Sequence, residues 1–148
     1  MSSQIFNLGA IFTDHADTQL PAIIDVSDEV APREISYEAL NSACDAVARA
    51  LVARGLGEGD RIGILALNRH EFIAVMFGAM RAGMVPVPIN IKLPAAGVEA
   101  IARDAGVRLM FCGGDERPLC PGDIPVISFD DGGPEGFIAF LDPGSFAP

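Results

Sequence analysis

Tryptophan is absent from the 148 residues, tyrosine occurs once, at Tyr37, and lysine once, at Lys92. The other nine basic residues are arginines, set against 20 acidic ones, for a net charge of −10. A surface of that sign repels phosphate backbones and anionic lipid, so nucleic acid is not an expected partner; a local basic pocket for one small anion stays possible. Cysteine is scarce and odd in number. Cys44, Cys112 and Cys120 form no C-x-x-C pair and have no histidine nearby, which argues against a structural zinc site. Free thiols fit a reducing compartment, here the cytoplasm. The start, MSSQIFNLGAIFTDHAD, has no basic n-region and soon meets Asp14 and Asp17, so no signal peptide is expected. The longest apolar run, residues 72–91, is broken by Arg81, Gly83, Pro86 and Pro88, which disfavours a transmembrane helix. There is no internal repeat.

Half of the residues are hydrophobic and 20% are charged. That balance supports one core, because a chain of this length buries roughly 68–70% of its unfolded surface on folding. The apolar spacing of Ile5, Leu8, Ile11 and Phe12 predicts a short helix over 5–16. Residues 22–26 read as a strand, with residues 33–35 returning beside it as a hairpin. Ser36 is placed to cap a helix whose stripe is Tyr37, Leu40, Cys44, Val47 and Leu51, with Asp45 and Arg49 as a surface i, i+4 pair. Gly55 suits a left-handed helix stop.

Residues 61–67 form a strand apolar enough to be covered on both faces. Asn68 with Glu71 fits a capping box opening a buried helix over 69–82, closed by Gly83. The strand 84–89 carries Pro86 and Pro88, which remove two ladder donors and imply an edge. A third helix spans 94–105, and strands follow at 107–112 and 126–129. Seven of the last nineteen residues are Gly or Pro, so 131–148 reads as a linker or tail behind an α/β subdomain at 1–130. The fold class expected is α/β: helices alternate with parallel strands through right-handed crossovers and cover a parallel-strand-rich sheet.

Three glycines within five positions, Gly55, Gly57 and Gly59, pose the question of a phosphate cradle. Such a cradle needs a strand, then a glycine turn, then the N-terminus of a helix. Here the order is helix, glycines, strand, and the spacing misses G-x-G-x-x-G. A hinge is expected. His15 and His70 lack a second ligand at metal spacing, and Asp130-Asp131-Gly132 lacks the remaining acids of a calcium loop and reads as a solvated turn. Lys92 reads as a surface lysine. No G-x-S-x-G elbow occurs. No catalytic, cofactor-binding or metal-binding residue is assigned.

ISYEAL at 35–40, residues 48–94 ending in AMRAGMVPVPINIKLP, and VEAIARDAGVRLMFC at 98–112 together resemble the N-terminal part of the AMP-forming adenylating enzymes. That superfamily includes acyl-CoA synthetases, luciferases and the adenylation domains of peptide synthetases. The resemblance covers about residues 20–130. It implies the N-terminal subdomain of an acetyl-CoA-synthetase-like fold. It also implies a parent enzyme that uses ATP and Mg2+ to convert a carboxylate into an acyl-adenylate, and then passes the acyl group to a thiol, commonly CoA. The Thr/Ser/Gly-rich phosphate loop and the catalytic lysine of such enzymes have no counterpart in these 148 residues. Gly97 departs from a glutamate found in many relatives, and the cost of glycine in a helix, about 1 kcal/mol, predicts a late start or a kink there.

The expectation is therefore an N-terminal fragment of an acyl-CoA synthetase, inactive alone and binding no cofactor by itself, whose partner is the remainder of the synthetase chain. Self-association through apolar surface is also expected. The alternatives are a stand-alone interaction or regulatory module on the same fold, or a fragment of an amino-acid adenylation domain. A nucleotide-binding flavodoxin-like domain is a weaker alternative, because no strand-to-helix turn is seen to be glycine-rich.

Overall fold

In a computed structural model, which describes residues 7–13 and 17–141, four parallel strands form the central sheet in the order β4-β3-β5-β6. They are β3 (Arg61–Leu65), β4 (Val85–Pro88), β5 (Val107–Cys112) and β6 (Val126–Ser128). A separate antiparallel hairpin joins β1 (Pro21–Asp25) to β2 (Arg33–Ser36). Helices α1 (Tyr37–Ala53), α2 (His70–Arg81) and the short α4 (Phe137–Leu141) share one face of the sheet, and α3 (Ala95–Ala105) covers the other.

Alternation along the strands sorts the core. Ile62 and Ile64 of β3, with Leu109 and Phe111 of β5, face α1 and α2; Leu65, Met110 and Cys112 face α3. Both faces are apolar because both are covered, as a parallel sheet requires. Ser36 caps α1 as expected, its Oγ accepting from the Ala39 amide at 3.1 Å. The buried stripe is Leu40, Cys44, Val47, Ala50 and Leu51.

Several expectations need correction. The described part of the expected 5–16 helix is a 3-10 turn at Leu8–Ala10, held by the Asn7 side chain accepting from the Gly9 amide at 2.8 Å; the ends of that range, with His15, lie outside the described residues. Asp45 does not pair with Arg49 but with Arg81, at 2.9 Å. The same guanidinium, whose side chain is 9% exposed, also reaches the carbonyls of Gly9 and Asn41, so it ties the end of α2 to α1 and to the 3-10 turn. Asn68 does not cap α2. The N-cap is Arg69, whose donor-only guanidinium cannot accept a cap bond and pairs with Glu71 instead.

Helix α2 is covered as expected: Ala74, Val75, Gly78 and Ala79 are buried and the other eight residues are partly buried, none of them exposed. Strand β4 is the expected edge, but its prolines cost no bonds to β3. Val85 and Ile89 donate to the carbonyls of Asp60 and Ile64, so Pro86 and Pro88 sit at the alternate, outward positions and deny that edge to another strand. Gly97 lies within α3 from its first turn, without delaying the helix, which starts at Ala95. Part of the expected Gly/Pro-rich linker is instead α4, where Phe137 and Phe140 are buried against Phe111.

Candidate functional site

The chain leaves β3 through α2 towards β4 on one side, and leaves β5 towards β6 on the other. In open parallel sheets the crevice beyond the carboxyl ends of two such strands is where ligands bind. Here it is a cleft of about 380 Å³, walled by Leu67, Asn68 and Arg69 after β3, by residues 113–116 after β5, and by Asp130 after β6, with Asp25, Arg33, His70 and Glu71 on its hairpin side.

Arg69 organises the cleft. Its Nε lies 2.9 Å from Glu71 Oε2, its Nη1 lies 2.8 Å from Asp130 Oδ1, and its guanidinium sits 4.9 Å from the centre of the Phe129 ring. The hydrogen bond that Arg69 donates to Glu71, then the one it donates to Asp130, hold the guanidinium more firmly charged than usual. Asp130 accepts the Gly114 amide at 2.7 Å, and that bond, followed by Arg69, lowers its carboxyl pKa. Burial pushes Glu71 up, but its hydrogen bond to Arg69 and the weaker pulls behind it leave it below the ordinary value.

His70 Nδ1 lies 3.3 Å from Glu71 Oε2, and Nε2 lies 3.5 Å from Arg33 Nη2. A carboxylate can only accept and a guanidinium only donate, so the neutral ring carries its proton on Nδ1. Burial, ahead of the opposing pull of Glu71, lowers the His70 pKa and favours that neutral form.

Next to the cleft, and sharing Asn68, Arg69 and His70 with it, runs an apolar groove of about 440 Å³ between the hairpin and α2, lined by Ile23, Ile24, Val26, Phe72 and Ile73.

Among the residues lining the cleft, five acids (Asp25, Glu71, Asp115, Glu116 and Asp130) outnumber Arg33 and Arg69. The Arg69 guanidinium and the Gly114 amide are already spent on carboxylates. These residues do not fit the triphosphate of ATP. Among the described residues, no group of three or more His, Cys, Asp or Glu is placed to hold a metal ion.

The glycine-rich stretch lies between α1 and β3, at the other end of the sheet. Gly55 and Gly59 have φ of 77° and 80°, and the Gly57 amide donates to the Asp60 carboxylate at 2.8 Å. The stretch is thus a turn that carries the chain from α1 into β3. Lys92 is exposed in the turn after β4, its amide bonded to Asn90 Oδ1 at 2.9 Å.

Sequence reasoning missed two features. Gly113 and Gly114 do form a glycine pair directly after a strand, and Asp130, read as part of a solvated turn, is half exposed yet bonded to both walls of the cleft. The available signal was position: both follow the carboxyl ends of apolar strands.

A model of the AMP-binding enzyme family matches residues 13–134. The chain is 31% identical over 115 residues to the long-chain-fatty-acid–CoA ligase FadD13 of Mycobacterium tuberculosis, a match covering 76% of this chain and 22% of that ligase. It is 30% identical over 128 residues to the L-proline–[L-prolyl-carrier protein] ligase of Pseudomonas fluorescens, covering 84% of this chain and 25% of that one. The crystal structure of the N-terminal domain of FACL13 from M. tuberculosis superposes with a TM-score of 0.78 at 27% identity, covering 93% of this chain and 36% of that structure. The chain thus spans about a quarter of the length of these two ligases. Among the described residues no helix is long and apolar enough to cross a membrane. From the paired core segments, the parallel sheet and the match over 13–134, the chain belongs to the AMP-binding enzyme family, to the N-terminal part of whose domain it corresponds.

Proposed function

We propose that this chain is the scaffold subdomain of an ATP-dependent, AMP-forming acyl-CoA synthetase, acting on a fatty acid and inactive by itself. The observation that carries this reading is the combination of a fatty-acid ligase match over 76% of the chain with a switch-point cleft whose partly buried Arg69 guanidinium and strand-end Gly114 amide are already bonded to carboxylates. In the complete enzyme, ATP, Mg2+ and CoA supply the chemistry of carboxylate activation and thioester formation. This chain contributes rigid walls. The remainder of the ligase covers the exposed Ile24, Val26 and Leu67 around the apolar groove, and a second copy does so when that remainder is missing.

The 84% coverage by a prolyl-carrier ligase favours a second reading, in which the acid activated is an amino acid. Incubating the 148-residue protein with ATP, Mg2+ and either a fatty acid plus CoA or proline plus a carrier protein separates the possibilities. No pyrophosphate release is expected from either mixture. Release with the fatty acid or with proline contradicts the scaffold role and identifies the acid. Light scattering checks the covering role: self-association is expected, and a clean monomer at high concentration argues against it.

A further inference from the structure

The β1–β2 hairpin is anchored at its base, and its turn end stands in solvent. At the base, Ala22, Ile23 and Ile35 pack with Leu40, Ile73 and Phe77, and the Tyr37 amide donates to the Leu20 carbonyl at 3.0 Å. Residues 26–32 are exposed, and the turn holds its own shape: Asp25 accepts the Ser27 amide at 3.0 Å and Asp28 accepts the Val30 amide at 2.9 Å. Between base and turn, Arg33 of β2 meets the first residue of α2, its Nη2 lying 3.5 Å from His70 Nε2. A two-stranded hairpin is marginal alone in water, so its order depends on what it is fastened to.

We propose that His70 is a proton-operated latch: neutral, its Nε2 accepts from Arg33 and fastens the hairpin to α2, and protonated, it expels Arg33 and frees the turn end of the hairpin, opening the apolar groove. The direction follows from where the second proton must go. Nδ1 already carries a proton and faces Glu71 Oε2 at 3.3 Å, so the incoming proton lands on Nε2, the nitrogen that faces Arg33. An acceptor becomes a donor facing a donor, and two positive charges then stand 3.5 Å apart. The ring is 21% exposed, so solvent protons reach it.

The neighbouring charges do not cancel that change. Glu71 already accepts from Arg69 Nε and Nη2 at 2.9 and 3.2 Å, and it faces the nitrogen that gains nothing. Asp25, opposite Arg33 in the hairpin, holds the Ser27 amide. Asp130 is held by Arg69 and the Gly114 amide, while Asp115 and Glu116 line the cleft from the loop after β5. Arg33 is exposed and can turn to water. Burial first, then Arg33 and Arg69, lower the His70 pKa against the pull of Glu71 and Asp25, so the latch is closed at neutral pH and opens as pH falls below 6.5. Ile23, Ile24 and Val26, the hairpin side of the groove of about 440 Å³, move with it.

The test follows amide hydrogen exchange and the histidine ring signals of the whole isotope-labelled chain between about pH 7.5 and about pH 4.5, a range that spans histidine titration. His70→Gln assigns the His70 signal against His15. After correction for the intrinsic pH dependence of exchange, amides 23–25 and 33–35 are expected to exchange several-fold faster as the His70 ring titrates, while those of α1 and β3 keep their protection. His70→Gln is expected to keep the hairpin slow throughout, and Arg33→Met to show fast hairpin exchange already at the upper pH. Hairpin protection unchanged through the ring titration overturns the proposal. The same acceleration in His70→Gln overturns it, as does an equal acceleration in α1 and β3.

Discussion

Arg69 shows what one side chain does for this molecule. Replacing it by methionine leaves Glu71, 17% exposed, without its charged partner, and an unmade bond to a charged group costs about 1–3 kcal/mol. The contribution at Asp130 is smaller, because that carboxyl is half exposed and screened. Urea denaturation of Arg69→Met is expected to show a loss in that range; an unchanged midpoint contradicts it.

The sign of the pH dependence follows from the same contacts. Glu71 and Asp130 have folded pKa values below their ordinary ones, so they stabilise the fold above the usual carboxylate range, about pH 4, and that stability is lost as pH falls through the lowered values. His70 is also lowered, so the unfolded chain takes up its proton first, and stability begins to fall once pH drops below 6.5. Denaturation midpoints measured from pH 7 to 3 are expected to fall in both windows. His70→Gln should flatten the upper one and Arg69→Met the lower one.

These contacts were poorly legible in sequence. Asn68 and Glu71 stood at capping spacing, but a guanidinium two residues away offered Glu71 a charged partner stronger than a backbone amide. Asp130 and Arg69 are 61 positions apart, and no local rule pairs them.

At the level of elements, legibility was better, because periodicity is a local property. The stripe of α1, its Ser36 cap, the hairpin and the four parallel strands all follow from spacing and glycine placement. Ser36→Ala is expected to cost about 1 kcal/mol by loss of the cap bond, read from thermal or urea unfolding. The seam between α1 and α2 depends on Gly78, where an added Cβ would meet the Cys44 carbonyl oxygen and Val47 Cβ, each at 2.7 Å. Gly78→Ala therefore overpacks this seam and is expected to cost about 1–3 kcal/mol, despite alanine's better helix propensity. A stabilised variant contradicts that packing.

Helix α4 escaped the sequence reading because Gly and Pro dominate its flanks, while its two decisive residues, Phe137 and Phe140, complete an aromatic cluster with Phe111 of β5 and Phe129 just past β6. Phe140, fully buried, is expected to cost about 3–5 kcal/mol on replacement by alanine. A loss well under 1 kcal/mol in urea unfolding would return this segment to the status of a tail.

For the whole molecule, the family could be recognised from motif order, and the sheet that those motifs build has its switch point between β3 and β5. What could not be read was the character of the cleft there, since it depends on residues from the hairpin, α2, the loop after β5 and the end of β6 meeting in space. Arg69, Glu71 and Asp130 pair with one another there, and the glycine turn before β3 spends an amide on Asp60. Both fit the scaffold role proposed above. The most direct test is a titration of the isotope-labelled 148-residue protein with ATP and Mg2+, followed by the amide resonances of Gly57, Gly113 and Gly114. These amides are expected to stay unmoved at every nucleotide concentration; saturable shifts at any of them would contradict the scaffold role and place the triphosphate on this chain.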